Sequence, residues 1–201
     1  MGQRLVVTIT NGEKTLCNIY YHWSAYSYSA LCQTKEIVDC INNHADENES
    51  ELLLRLIRFV EKEGGGIANG YNSEEWKYIQ ALYPNEKFKE DNISRNDGLI
   101  CLSEKGIKDN QSWSEGDVEI DLEEYCIKNS VYYYYENLEE YNKERAEWDD
   151  DFEKMSLSNI PDIGCSLSII DIDDLGQTLK RLSEVKDYVC RDGNEIYALI
   201  E

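Results

Sequence analysis

The stretch RLVVTIT-NG-EKTLCNIYYHW, residues 4–23, restricts the fold more than any other. Val, Ile, Thr and Tyr crowd both arms. Asn11-Gly12 between them is a strong local signal for a two-residue hairpin turn. At Ser24 the period changes from two to helical. Ala30, Leu31, Thr34, Ile37, Val38 and Ile41 mark one face, and Ser24 or Ser27 is placed to cap it. A hairpin feeding directly into a helix points to a mixed α+β fold with an antiparallel sheet.

The rest of the chain extends that plan. Leu52, Leu53, Leu56, Ile57 and Val60 predict an amphipathic helix stopped by Gly64-Gly65-Gly66. Asn72-Ser73 with Glu75 resembles a capping box for the helix EEWKYIQAL, which ends before Pro84. Residues 85–98 read as a polar loop closing with Arg95-Asn96-Asp97-Gly98, and GLICLSE as the strand that follows. DVEIDLEEYCI, 117–127, predicts one half-buried strand. Asp117, Glu119, Asp121 and Glu123 face outward, and Val118, Ile120 and Leu122 face inward. Tyr132 to Tyr135 continue the β character. Leu138, Tyr141, Arg145, Trp148, Phe152 and Met155 form a heptad stripe on an otherwise acidic helix. A further helix is expected after Pro161, in LSIIDIDDLGQTLKRLSEVKDY, and a C-terminal hairpin turning near Asp192-Gly193. The expectation is one domain over 1–201. Its mostly antiparallel sheet is made of the two terminal hairpins and central strands, with helices packed on it and a protruding acidic helix near 137–155.

Charge narrows the function classes. Forty-one acids oppose twenty bases, for a net charge of −21. From Glu115 to Glu153 fifteen acids face only Lys128, Lys143 and Arg145. Such a field repels phosphate backbones and anionic membranes and attracts basic surfaces. No direct nucleic-acid binding is expected. No apolar run is long enough to span a bilayer, and MGQRLVVTIT lacks the pattern of a signal peptide, so a cytoplasmic protein is expected. The seven cysteines include no C-x-x-C pair; Cys17, Cys101, Cys126 and Cys190 lie in apolar runs and read as small buried hydrophobes.

Each candidate for chemistry has a plainer rival. In YYHWSAY, Ser24 as a nucleophile needs His22 as base and a carboxylate behind it, but no glycines flank Ser24. A cap at Ser24 and a sheet-edge hydrogen bond at His22 explain the residues more simply. The acids at 117, 119, 121 and 123 resemble hard-cation ligands, yet an alternating solvated strand face needs no ion. Gly64-Gly65-Gly66 lacks the Lys-Ser/Thr of a phosphate loop. Neither cofactor nor metal is expected. Arg95, Asn96 and Asp97 form the best place for a small-ligand contact.

The segments MGQRLVVTIT…NIYYHWSAYSYSAL, SRNDGLI and EGDVEIDL resemble small proteins encoded by phages and prophages. The likeness spans residues 1–43 and 94–122 and carries no assigned chemistry. It implies a modulator of host machinery, of the anti-CRISPR kind. Together with the charge, this favours a non-enzymatic inhibitor that mimics nucleic acid and binds a basic, nucleic-acid-handling host protein. The expected contact residues are Asp117, Glu119, Asp121, Glu123, Tyr141, Glu144, Glu147, Trp148, Asp149, Asp150, Asp151 and Phe152. The alternative is a small-molecule or nucleotide-binding protein, or a hydrolase, with a pocket formed by His22, Ser24, Arg95, Asn96 and Asp97. A third reading is an oligomerisation module, such as a dimer joined through the 138–155 stripe.

Overall fold

The computed structural model describes residues 4–25, 27–42, 48–130 and 169–180. The expected hairpin is β1 (Leu5–Asn11) paired antiparallel with β2 (Lys14–Tyr21). Asn11 still pairs with Lys14, so the turn residues are Gly12 and Glu13, one position later than the Asn-Gly signal suggested. The cause is a bulge. Ile9 faces Cys17 but Thr10 faces Thr15, which leaves Leu16 as the extra residue. Both Leu16 and Cys17 then join the core. Gly12 takes the left-handed backbone, with φ +58°, that the turn requires.

This hairpin is the centre of a seven-stranded sheet. The other strands are β3 (Gly66–Ile67), β4 (Leu99–Cys101), β5 (Gly116–Asp121), β6 (Cys126–Ser130) and β7 (Ile169–Asp171), in the order β3-β4-β2-β1-β5-β6-β7. The pairs β1–β5 and β3–β4 are parallel and the others antiparallel. The fold is therefore α+β.

Alternation decides which side chains meet which helices. Leu5, Val7, Ile9, Ile19, Tyr21, Ile100, Val118 and Ile120 share the main core with residues of α1 (Ser27–Asn42) and α2 (Glu49–Glu63). Ala30, Leu31, Ile37 and Val38 come from α1, and Leu53, Leu56, Ile57 and Val60 from α2, as the periodicity predicted. Each fully buried Leu or Ile contributes about 1.5–3 kcal/mol of transfer free energy. Cys101 follows Ile100 in β4 and so points to the opposite face, where it packs with Ala68 and with Ile107 of α4 (Glu104–Gln111). Helices thus cover both faces of the sheet.

Local chemistry fixes the helix ends. Asn48 and Glu51 form a reciprocal capping box on α2, and Gly64 closes that helix at φ +112°. Gly65 has no room for a side chain, because the backbone of Asp97 and Gly98 lies against it. Ser73 caps α3 (Glu74–Leu82) by accepting from the Trp76 N–H. Glu75 therefore is not the second half of a capping box. Its carboxylate is buried and accepts from the backbone N–H of Leu102 (2.7 Å) and Ser103 (3.0 Å), and from the Ser103 hydroxyl. Ser103 in turn caps α4. One buried carboxylate thus joins α3 to the start of α4.

Three further expectations change. The single strand 117–127 is a hairpin, β5 turning into β6, because Asp121 binds the N–H groups of Glu123 and Glu124 and Tyr125 adopts φ +52°. In the helix expected after Pro161, Ile169–Asp171 instead form strand β7, and the chain is helical only from Ile172 onward. Helix α1 starts at Ser27, so neither Ser24 nor Ser27 holds the flanking cap position, which is residue 26, outside the described residues. Tyr132–Tyr135, the 138–155 stripe, Cys165, Cys190 and the C-terminal hairpin also lie outside them. No helix among the described residues is long and apolar enough to cross a membrane.

Candidate ligand-binding groove

The acidic strand is internally occupied. Asp121 is only 3% exposed. Its Oδ1 accepts from two backbone N–H groups, both at 3.0 Å, and its Oδ2 lies 2.9 Å from Lys128 Nζ. The same ammonium sits 3.2 Å from Glu119 Oε1 and 3.3 Å from Glu124 Oε2. The Lys128 bond holds the Asp121 carboxyl below its usual range, and the three carboxylates push the ammonium's pKa up. Burial raises the Asp117 carboxyl against a hydrogen bond from Ser114. Of the four expected partner-binding acids on this strand, only Glu123 is exposed, and it leans over Gly12. The remaining ones, Tyr141, Glu144, Glu147, Trp148, Asp149, Asp150, Asp151 and Phe152, lie outside the described residues.

A different arrangement lies on the α4 face. The register pairs Tyr20 of β2 with Leu99 of β4, and their side chains line a groove of about 600 Å³. Arg4, just before β1, Asn110, near the end of α4, and Trp113, just after it, also line it. So do Asn69 and Gly70 after β3, Ile93 and Arg95 from the loop before β4, and His22 just after β2. Among the described residues no aspartate or glutamate lines this groove, in a chain with forty-one of them. Its charged groups are two guanidiniums.

Each wall is held in place. The Glu115 carboxylate accepts from the Arg4 side chain at 2.8 Å and from its backbone N–H at 3.0 Å. Burial raises the Glu115 carboxyl, but these bonds and the Arg4 charge outweigh it and leave it below the ordinary range. The Arg4 guanidinium carbon lies 5.7 Å from the centre of the Trp113 ring, whose residue is 62% exposed. Arg4 Nε is buried without an acceptor among the described residues. The His22 backbone N–H donates to the Arg95 carbonyl at 3.1 Å and ties the loop to β2. Arg95 itself is exposed and has no carboxylate partner among the described residues. Tyr20 Oη meets His22 Nδ1 at 2.8 Å. Burial raises the Tyr20 phenol more than Arg4 and Arg95 lower it, so it keeps its proton at neutral pH. When the phenol donates to Nδ1, the imidazole carries its own proton on Nε2, which is then a donor; when the phenol accepts, Nε2 is the acceptor.

The sequence placed His22 and Arg95 in one pocket, and the structure brings them together. Ser24 is buried and does not line the groove. Asn96 is exposed at the turn tip, and Asp97 lies against Gly64 instead. His22 meets Tyr20, not Ser24, so the triad geometry of a hydrolase is not assembled here. Arg4, Asn110 and Trp113 carried no motif, and Tyr20 was not singled out within YYHWSAY; the register and α4 bring them to the groove. A second groove, of about 540 Å³, runs between β2, α2, α3 and α4, but its Lys14 and Lys108 are paired with Glu49 and Glu104. Among the described residues no group of three His, Cys, Asp or Glu is placed to hold a metal ion. Among the described residues Cys17, Cys101 and Cys126 are buried free thiols.

No protein-family model, curated protein or solved structure matches this chain.

Proposed function

We propose that the protein is a binding protein for a small anionic ligand, taken up in the groove between Arg4, His22 and Arg95. One observation carries this reading: among the described residues that line it, the cleft has two guanidiniums and no carboxylate, in a strongly acidic chain. The net charge of −21 opposes an anion at long range. Salt shortens that reach to about 8 Å under physiological conditions, so the groups lining the cleft dominate once the ligand enters. Arg95, with no carboxylate partner among the described residues, supplies a fork suited to phosphate or carboxylate oxygens, and His22 a second donor when its proton is on Nε2. A volume of about 600 Å³ accommodates a compact organic anion. Thermal melts with pyrophosphate test this. The melting temperature should rise with ligand concentration and the rise should vanish in Arg95→Gln. An unchanged melt at millimolar pyrophosphate contradicts it.

A second reading is a phage-type acidic modulator, of the anti-CRISPR kind, that engages a basic nucleic-acid-handling host protein. It is supported by the exposed Glu123 and Glu124 at the β5–β6 turn, which open the acid-rich stretch running to Glu153. Its affinity should fall steeply with salt, and it should compete with nucleic acid for the partner. Binding that persists unchanged in high salt counts against it.

A further inference from the structure

The groove holds one large feature that anion binding alone leaves unused. Trp113 is 62% exposed and stands on a hydrogen-bonded backbone. Its backbone N–H donates to the Asn110 carbonyl at 3.1 Å, and Glu115 and Gly116 both donate to the Arg4 carbonyl, at 2.8 and 3.1 Å. Arg4 stands on the ring, anchored in turn by Glu115. An exposed indole backed by a cation, lining one groove with an arginine that has no carboxylate partner among the described residues, is a platform for a second planar group.

The amides beside it have a defined orientation. Asn18 is fully buried in β2 and donates its Nδ2 to the Ile107 carbonyl at 3.0 Å. A carbonyl only accepts, so Asn18 must turn Oδ1 the other way, toward Asn110. Asn110 Nδ2 donates to that oxygen at 2.9 Å and to Cys101 Sγ at 3.4 Å. Both amide protons of Asn110 are then committed. Its Oδ1 is left as an acceptor with no partner among the described residues, on a side chain that lines the groove.

We propose that the ligand is a nucleoside phosphate whose base bears an exocyclic amine. The base stacks on Trp113 and gives its amine proton to Asn110, and the phosphate lies between Arg95 and His22. This rests on the anion-binding reading above and adds the identity of the rest of the ligand. Base–aromatic stacking predicts that AMP binds roughly 5- to 150-fold more tightly than ribose 5-phosphate. It also predicts that AMP binds more tightly than IMP, which carries a carbonyl where AMP carries the amine.

Isothermal titration of the full chain with AMP, IMP, ribose 5-phosphate and pyrophosphate tests each part. The AMP advantage over ribose 5-phosphate should disappear in Trp113→Leu and return in Trp113→Phe, with circular dichroism showing both variants folded. Equal affinity for AMP and ribose 5-phosphate overturns the nucleotide assignment while leaving the anion groove intact. Equal affinity for AMP and IMP overturns the role given to Asn110. No heat with any of the four ligands removes both the nucleotide assignment and the anion-binding reading beneath it.

Discussion

The groove and the β5–β6 hairpin use charge in opposite ways. In the hairpin, Glu119, Asp121 and Glu124 gather around one lysine, and the buried Asp121 also satisfies two backbone N–H groups. Those charges are occupied with holding a turn that contains no Gly, Pro or Asn. Among the described residues at the groove, Arg4 is occupied by Glu115, Arg95 has no carboxylate partner, and nothing acidic lines the cleft. Of these two places, the hairpin uses its acids structurally, and the groove leaves one basic group available. Net charge describes how the whole molecule meets distant partners; it does not locate a site.

The largest test of that contrast is at Glu75, because it docks the helix carrying the groove's Asn110. Glu75→Ala leaves the N–H groups of Leu102 and Ser103 without their acceptor, at about 1–3 kcal/mol for each buried donor. Chemical denaturation should show that loss, and ligand binding should weaken with it. Asp121→Ala should cost about 1–3 kcal/mol while leaving groove binding unchanged, since the two regions share no contact residue. If it impaired binding, the separation drawn here would fail.

A pH profile sharpens the hairpin half. The Asp121 carboxyl titrates lower in the folded chain than in the unfolded one. Its stabilisation is therefore complete above the unfolded value of about 3.9 and is lost as pH falls through the folded value. Stability of Asp121→Asn should vary less with pH in that acid window than the wild type. The smallest effect on stability belongs to Arg95→Gln. That exposed substitution should change unfolding free energy by no more than about 0.5 kcal/mol, yet remove anion binding.

Legibility followed periodicity. The hydrophobic faces of α1 and α2, the first hairpin and the polar loop before β4 could be read, because many residues repeat one pattern there. Strand β3 has two residues and α4 has one large apolar anchor, Ile107, so neither gave a period to detect. The β5–β6 turn was hidden because its break comes from Asp121 hydrogen bonds and Tyr125 at positive φ, not from turn residues. Strand β7 was hidden because IID continues into an acidic segment that suits a helix start. The site divided in the same way. His22 stood out as one of two histidines, and Arg95 by its place in a polar turn. Arg4, Tyr20, Asn110 and Trp113 are brought together only by strand register and the docking of α4, which sequence spacing does not report.

Backbone amide chemical shifts during a pyrophosphate titration test the central claim most directly. The predicted perturbations centre on residues 4, 20–22, 93–95 and 110–113, saturate together, and leave 117–128 unmoved. Shifts scattered over surface lysines such as Lys35 and Lys62, or no shifts at all, would contradict the assignment of a ligand to this groove.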